Sequence, residues 1–501
     1  MSRLRGLFRG SIACSAGAMT VLAFAPFSAY IVAVLGAALV LVLWLESSPW
    51  EAFREGWWFG CGLLGTGVFW MHISIDQFGN LGTVAAIVLT LMFIAAMALY
   101  YAIAGLVLGW LQQGGVGLGG MLTGFSSLWV LSEWIRGWFL SGFPWLSLGY
   151  SQIDSPLAGW APVLGVFGVS LAVTASASLL VLLWRGRGRG RVVGLIGLGI
   201  IWAVGGGLAN HPWTSAAGQP LKVAVVQGNI PQSEKWQREL LVPTLRLYSA
   251  LTREHLESDL IIWPETAVPA FVDDVEADFL NPLHRELGNQ GVTLLTGIAH
   301  RATDGRYYNA MMVLGEGRDI YHKRHLVPFG EFLPLKSLLA PFLAWMQVPM
   351  SDFSAGEDGA PLVTLAGYPA GISICYEDAF GEEVVKGLPE AAFLVNASND
   401  AWFGDSLALP QHLQIARMRA RETGRYLLRA TNTGISAIIA PDGSLASVSP
   451  AFERHVLSGE IRPMQGATPY VRWGNWAVIV FAVMLLSAVM YSRRRMSREQ
   501  V

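Results

Sequence analysis

No lysine occurs in the first 210 residues, and that stretch holds only nine arginines and six acidic residues. Charged residues make up 14% of the 501-residue chain and hydrophobic ones 53%, against roughly 25% charged in an average soluble protein. That shortfall excludes a disordered chain and fits an ordinary cytosolic enzyme poorly. The scarcity is also uneven: 55 of the 70 charged residues lie in the 291 positions after Asn210. Two kinds of polypeptide are therefore joined, in a length that allows roughly three domains at ~150 residues each. Cysteine is nearly absent too. Of the three, Cys14 and Cys61 lie in long apolar stretches and Cys375 is alone in the polar part. This excludes a disulfide framework there, and with no CxxC or HExxH it excludes a multi-thiolate zinc site. Internal repeats and long low-complexity tracts are missing as well.

What is present first is hydrophobic length. About 20 apolar residues cross a ~30 Å hydrocarbon core. Such stretches fall at 10–28, 30–46, 57–75, 83–111, 119–140, 162–184 and 192–209, with an eighth at 474–492. Glu133 and Arg136 sit three apart in the fifth, close enough on a helix to face each other. They read either as a buried ion pair ordering the bundle or as a contact to a lipid headgroup. Arg3, Arg5 and Arg9 precede the first span, Arg185, Arg187, Arg189 and Arg191 separate the sixth from the seventh, and Arg493, Arg494, Arg495 and Arg498 follow the eighth. If the spans alternate, all three clusters share one side, which the positive-inside rule makes cytoplasmic. Residues 211–470 then lie on the opposite face. The Arg-rich start and the Ala-Phe-Ala at 23–25 imitate a secretory signal, but further spans follow at once, so the first span is expected to be retained. Trp57, Trp58, Trp70, Trp138 and Trp145 near span ends read as an interfacial belt.

The expected division is a bundle of seven helices over 1–212, a catalytic domain over 220–463, a C-terminal transmembrane helix over 472–492 and a basic tail over 493–501. From Leu221 short β-branched runs appear: Lys222–Val226, Leu260–Trp263, Val292–Ile298, Ala310–Leu314, Ala370–Ile374, Phe393–Asn396 and Ile435–Ile439. Helical stretches such as Arg238–Glu257 and Gln411–Tyr426 lie between them. Strands alternating with helices predict a layered α/β domain, with ligands beyond the strand ends. Glu265 ends the run Leu-Ile-Ile-Trp-Pro-Glu, and Cys375 and Glu377 end Gly-Ile-Ser-Ile-Cys-Tyr-Glu. Lys323 and Glu331 lie in the segment between. A lone thiol is often a small buried hydrophobe, yet in an oxidising compartment an unused thiol is a liability. As a nucleophile it needs a base and an oxyanion stabiliser.

WPET at 263–266, HKRHLVPFGE at 322–331 and ICYED at 374–378 resemble, in order, the Glu-Lys-Cys motifs of the nitrilase superfamily. With the spans before them, VQGNIPQSEKW at 226–236 and one span after, the whole chain resembles the apolipoprotein N-acyltransferase family. The resemblance implies a membrane bundle of about eight spans joined to a nitrilase-like αββα sandwich. It implies Cys375 as nucleophile, Glu265 as general base and Lys323 as oxyanion stabiliser, with no metal and no cofactor. It also implicates Trp236, Glu331, Tyr376 and Glu377. Glu331 and Glu377 would orient Lys323, hold the acceptor amine or simply be satisfied buried carboxylates. Trp236 would line the acyl site or pack on a loop. The implied partners are a phospholipid acyl donor, a diacylglyceryl apolipoprotein acceptor and the bilayer, not nucleic acid. The implied place is the bacterial inner membrane, with the catalytic domain periplasmic and both termini cytoplasmic. Between Lys323 and Cys375, the apolar Phe332–Met350 reads as a buried helix with a proline break or as a lip dipping into the interface.

Three rivals stand beside this reading, which the spans, the apolar segment and the extended resemblance favour. In a membrane-tethered amidase, water would resolve the thioester. A Cys-His hydrolase would pair Cys375 with His325 or His412. A transporter or receptor would carry a sensor domain, but the bundle shows no evident ion relay. A serine hydrolase is disfavoured because Gly371-Ile-Ser373-Ile-Cys375 lacks the final glycine of GxSxG.

Overall fold

The computed structural model describes residues 2–79, 82–328, 330–332 and 353–499. The chain forms two units. One comprises the residues up to His72, Thr83–His211 and those from Arg472; the other comprises Ile73–Gly82 and Pro212–Val471.

The first unit is helical: α1 (Ser2–Thr20), α2 (Ile31–Trp44), α3 (Pro49–Gly67), the start of α4 (Met71–Gly79), α5 (Thr83–Met97), α6 (Leu99–Gln113), α7 (Leu118–Arg136), α8 (Ala161–Arg185), α9 (Arg189–Ala209) and the C-terminal helix Trp476–Glu499. Among the described residues, five helical stretches are long and apolar enough to cross a membrane. A sixth qualifies if α3 and α4, bent by 60° at their break, are taken together. The other expected spans are weaker for physical reasons. α2 has only 14 residues, and α7 carries three serines together with Glu133 and Arg136.

Polar side chains in this unit bind backbone. Arg9 donates from Nε to Glu55 Oε1 (2.6 Å) and from Nη2 to the Leu43 carbonyl (2.7 Å) and Ser47 Oγ (2.8 Å). It lies 3.5 Å from Glu46, which also pairs with Arg185. Gln112 donates to the Leu45 carbonyl (2.8 Å), and Arg493 stacks over Trp110, 3.5 Å from the ring centroid. One residue from each basic cluster is thereby brought to the same end of the bundle.

The ion pair anticipated between Glu133 and Arg136 is not formed within 4 Å among the described residues. Each side chain instead holds the segment after α7. Glu133 Oε1 accepts from Trp129 Nε1 (2.9 Å) and Leu148 N (2.8 Å). Arg136 donates to the carbonyls of Phe143 (2.9 Å) and Trp145 (2.5 Å) and to Ser147 Oγ (3.3 Å). Buried main-chain groups require partners, and these two charges supply them. Both side chains are 1% exposed, which also leaves no face for a headgroup.

The second unit contains two main sheets, the first of seven strands, with Val268–Phe271 paired to Thr293–Arg301 off its main order, and the second of six. The first runs in the order β12-β1-β2-β3-β4-β5, with β1 Leu221–Gln227, β2 Leu260–Ile262, β3 Thr293–Arg301, β4 Tyr307–Gly315, β5 Ile320–His322 and β12 His455–Ile461. The second runs β11-β10-β9-β8-β7-β6, with β6 Leu362–Leu365, β7 Tyr368–Ile374, β8 Phe393–Ser398, β9 Leu427–Thr431, β10 Ala437–Ile439 and β11 Leu445–Val448. Each has three parallel strands at its heart (β1, β2, β3 and β7, β8, β9) and antiparallel strands on both sides. The sheets pack face to face: Val223, Val225, Ile262 and Val313 of one share a core with Ile372, Ile374, Val395 and Leu428 of the other.

Helices cover the outer faces. α10 (Arg238–Arg253) and α11 (Asn281–Gln290) bury Leu245, Tyr248, Leu283 and Leu287 against the first sheet. α12 (Ala408–Thr423) buries Leu413, Ala416 and Ala420 against the second. This is the expected αββα sandwich. All seven anticipated strands recur, while β5, β6, β9, β11 and β12 were not foreseen. The first two are only 3 and 4 residues long, and β9 lies just past the expected helix 411–426. The break after α3 falls within the expected span 57–75, and from Ile73 onward α4 belongs to the sandwich unit. There Phe78 packs edge-on against Trp402, with ring centroids 4.5 Å apart.

Candidate active site

Three strand ends converge. β2 leads into Pro264-Glu265-Thr266, where Thr266 takes φ +51°. The turn lies so close on β3 that a Cβ at Gly297 would strike the backbone of Pro264, Glu265 and Thr266; only glycine fits there. β5 ends at His322 and delivers Lys323. β7 ends at Ile374, and Cys375 follows at φ +52°, a left-handed conformation that costs a non-glycine residue free energy and persists where its surroundings enforce it.

Lys323 is 1% exposed. Its Nζ donates to Glu331 Oε1 and lies 2.9 Å from Oε2 as well, with Glu265 Oε1 at 3.6 Å. Burial disfavours the ammonium, but the charges of Glu331, then Glu265 and Cys375, outweigh it and hold this lysine well above its ordinary value. It is a fixed cation. Glu265 Oε1 accepts from Asn309 Nδ2 (2.7 Å), which also donates to Glu331 Oε1 (3.0 Å). Glu265 Oε2 is buried with no hydrogen-bond partner among the described residues. A buried carboxylate oxygen without a partner is costly, and each such atom calls for an explanation.

Burial raises the Cys375 thiol, and the charge of Glu265 pushes it further. Lys323 pulls it down, Asp400 opposes that, and a hydrogen bond with Ser398 helps lower it; the thiol stays well above its usual range. A resting thiol with a carboxylate close enough to perturb it electrostatically is the arrangement that general-base activation requires.

The remaining expected residues divide. Glu331 holds Lys323 directly and also accepts from Val327 N (2.9 Å). Glu377 binds main chain: Oε1 accepts from Arg324 N (2.6 Å) and His325 N (3.0 Å), and Oε2 from Ile374 N (2.7 Å) and Tyr321 Oη (2.9 Å). It thus fastens the Lys323 loop to the Cys375 turn. Tyr376 is half-buried and packs edge-on against Phe380, with centroids 4.9 Å apart. Trp236 is 51% exposed, so packing in an interior is not its role. Of the apolar segment Phe332–Met350, all but Phe332 lies outside the described residues.

A buried charge cluster supports the turn from beneath. His412 places Nδ1 2.9 Å from Asp400 and Nε2 2.9 Å from Asp378. Arg429 binds Asp400 Oδ2 (2.7 Å) and Asn396 Oδ1 (2.5 Å), and Asn396 Nδ2 donates to the Cys375 carbonyl (3.1 Å). Burial and Arg429 lower the imidazole pKa, but Asp378 and Asp400 prevail and raise it to about 9. With carboxylates on both ring nitrogens, His412 cannot serve Cys375 as a base. His325 stacks on Phe380 at 3.7 Å. The Cys-His alternative is not supported by either ring.

Sequence reasoning missed Asn309, the His412–Arg429 cluster and Lys235. Lys235 is 3% exposed, and its Nζ donates to the main-chain carbonyl of Glu265 (3.0 Å). It lay inside the quoted run 226–236, beside Trp236.

Comparison with known proteins settles the family. Residues 222–470 match the carbon-nitrogen hydrolase family, and residues 16–179 match the N-terminal domain of apolipoprotein N-acyltransferases. An apolipoprotein N-acyltransferase from Methylococcus capsulatus is 47% identical over 485 residues, covering 97% of this chain and 96% of its own. The chain belongs to the apolipoprotein N-acyltransferase family. Other relatives of that name, from Pseudomonas syringae pv. tomato (41% identical, 96% of each chain) and Coxiella burnetii (38%, 95% of this chain and 98% of its own), extend the match. These relatives match this chain across both the helical region and the sandwich.

Proposed function

We propose that this enzyme transfers an acyl chain from a membrane phospholipid, through a thioester on Cys375, to the N-terminal amine of a diacylglyceryl-cysteine on an apolipoprotein. The observation that carries this reading is the bare Glu265 Oε2 in a site where Lys323 is held as a permanent cation and Cys375 as a thiol. In the first half-reaction the thiol proton passes to Glu265 as sulfur attacks the ester carbonyl. Lys323 meets the oxyanion. Collapse expels the lysophospholipid oxygen, which takes the proton back from Glu265. In the second half-reaction the amine attacks the thioester and gives a proton to Glu265; the thiolate leaves and is reprotonated. An α-amino group with a pKa of about 7.7–8.0 has a useful neutral fraction near neutrality. Asn309, shared by Glu265 and Glu331, positions both carboxylates through either step.

The same reading takes the helical unit as about eight spans, with the sandwich on the periplasmic side of the inner membrane and both termini cytoplasmic. The gathering of Arg9, Arg185 and Arg493 at one bundle end supports that orientation. The division into a bundle over 1–212, a catalytic domain over 220–463 and a final helix over 472–492 belongs to the same proposal. Trp236 and Tyr376 are proposed as substrate contacts, because both keep exposed surface beside the site.

Intact-mass measurement after incubation with a phospholipid tests the scheme. Wild type should gain one acyl group, Cys375→Ser should form no thioester, and a lipopeptide amine should discharge the wild-type adduct. An adduct released by water as fast as by the amine would favour an amidase instead. No adduct during turnover would defeat the thioester.

A further inference from the structure

Two buried lysines face this site, and they are held differently. Lys323 has two carboxylates. Lys235 has no carboxylate within 4 Å among the described residues, and its only hydrogen-bond partner there is the Glu265 carbonyl. A buried ammonium carries a desolvation penalty of several kcal/mol, which a single neutral carbonyl does not offset. A purely structural lysine would be better replaced by an uncharged donor. The charge therefore needs a further reason.

Counting charge around the thiol supplies one. Lys323 and Lys235 are positive and Glu265 and Glu331 negative, so the site is neutral while sulfur keeps its proton. Asp378 and Asp400 are already neutralised by His412 and Arg429, and Glu377 faces the Arg324 cation besides its four donors. When the proton moves from Cys375 to Glu265, one negative charge relocates to sulfur and then to the oxyanion. With Lys235 uncharged, the same step would take place at a net charge of −1.

Resting on the reading of Cys375 as the nucleophile, we propose that Lys235 is a second cation of the site, a positioning residue that orients Glu265 through its carbonyl and lowers the cost of the Cys375 thiolate. The electrostatics agree in sign. Burial lowers Lys235 to about 8, with Glu265 and Cys375 each pulling it back up. The groups that set this charge are thus the two that exchange the proton.

The test uses the full-length protein and needs no lipid. Alkylation of Cys375 by iodoacetamide is followed by peptide mass, which separates it from Cys14 and Cys61, over pH 6–10. Lys235→Gln keeps a donor for the Glu265 carbonyl but removes the charge; Lys235→Arg keeps the charge. Loss of the charge should slow alkylation of Lys235→Gln roughly tenfold at pH 7.5, and the gap should close above about pH 8, where the wild-type ammonium gives up its proton. Lys235→Arg should stay closer to wild type. Unfolding curves identify any variant that has lost its fold, and Lys235→Met supplies a second uncharged side chain. A folded Lys235→Gln with the wild-type profile would overturn the proposal and leave Lys235 a hydrogen-bond donor only. Because no acyl donor is present, this result is independent of whether phospholipid is the substrate.

Discussion

The helical unit and the sandwich unit both bury charge, but to different ends. Glu133 and Arg136 bind the main chain of one segment, and Arg9 ties three helices through Glu55, Ser47 and a carbonyl. These charges substitute for water around backbone groups. In the sandwich, Lys323 faces carboxylates that face a thiol, and there Glu265 Oε2, like Glu133 Oε2 in the bundle, has no hydrogen-bond partner among the described residues. What sets the sandwich apart is that this group lies where the proposed mechanism delivers a proton. Burial of charge therefore does not by itself mark function; what marks it is an incomplete set of partners beside a nucleophile.

Three experiments would break or sharpen that contrast. The largest effect is expected at Lys323. Lys323→Met should lower acyl transfer by about 10²–10³, or ~2.7–4 kcal/mol of barrier, as for loss of an oxyanion donor. Removing one partner of a buried ion pair also costs stability, so turnover is compared per folded molecule alongside a melting curve. A variant that melts early and keeps its turnover per folded molecule would put Lys323 with the structural charges.

The second effect lies between. The His412 pKa is raised from 6.5 to about 9, so its contribution is complete below about pH 6.5 and is lost as pH rises through 9. The size is on the order of 3 kcal/mol. Lys235, lowered to about 8, titrates in the same window with the opposite sign. The decisive quantity is therefore the difference between the wild-type and His412→Gln melting curves. Wild type should lose its advantage between pH 7 and 10; parallel curves would mean that the imidazole is not the charged centre of its cluster.

The smallest effect belongs to the bundle. Arg136→Leu leaves the Phe143 and Trp145 carbonyls without their donor, at a cost of about 1–3 kcal/mol for buried acceptors. Thermal unfolding in detergent should register that loss while turnover per folded molecule holds. A selective loss of turnover would assign Arg136 a part in substrate handling.

Much of the site was legible because its chemistry sits where strands end. Glu265, Lys323 and Cys375 each follow a short β-branched run, and the runs themselves announced a layered α/β domain. What stayed hidden depends on burial, which letters do not carry. Lys235 reads as a loop lysine in a polar run, yet the fold encloses it. Asn309 is one more residue of β4 until its amide is seen between two carboxylates. His412 lies on a helix whose sequence gives no sign that Asp378, Asp400 and Arg429 meet it. Glu133 and Arg136 have ion-pair spacing, but the carbonyls that claim Arg136 come from a segment with no recognisable pattern.

One consequence follows from α4. From Ile73 on, this helix belongs with Pro212–Val471 although about 130 residues separate them, and its Phe78 covers Trp402. Trp402 lies two residues beyond Asp400, the carboxylate that holds both His412 and Arg429. A gene fragment starting near residue 212 would encode every group of the candidate triad and still lack this cover. The reactive half therefore draws part of its covering from a stretch encoded between apolar helices of the other half.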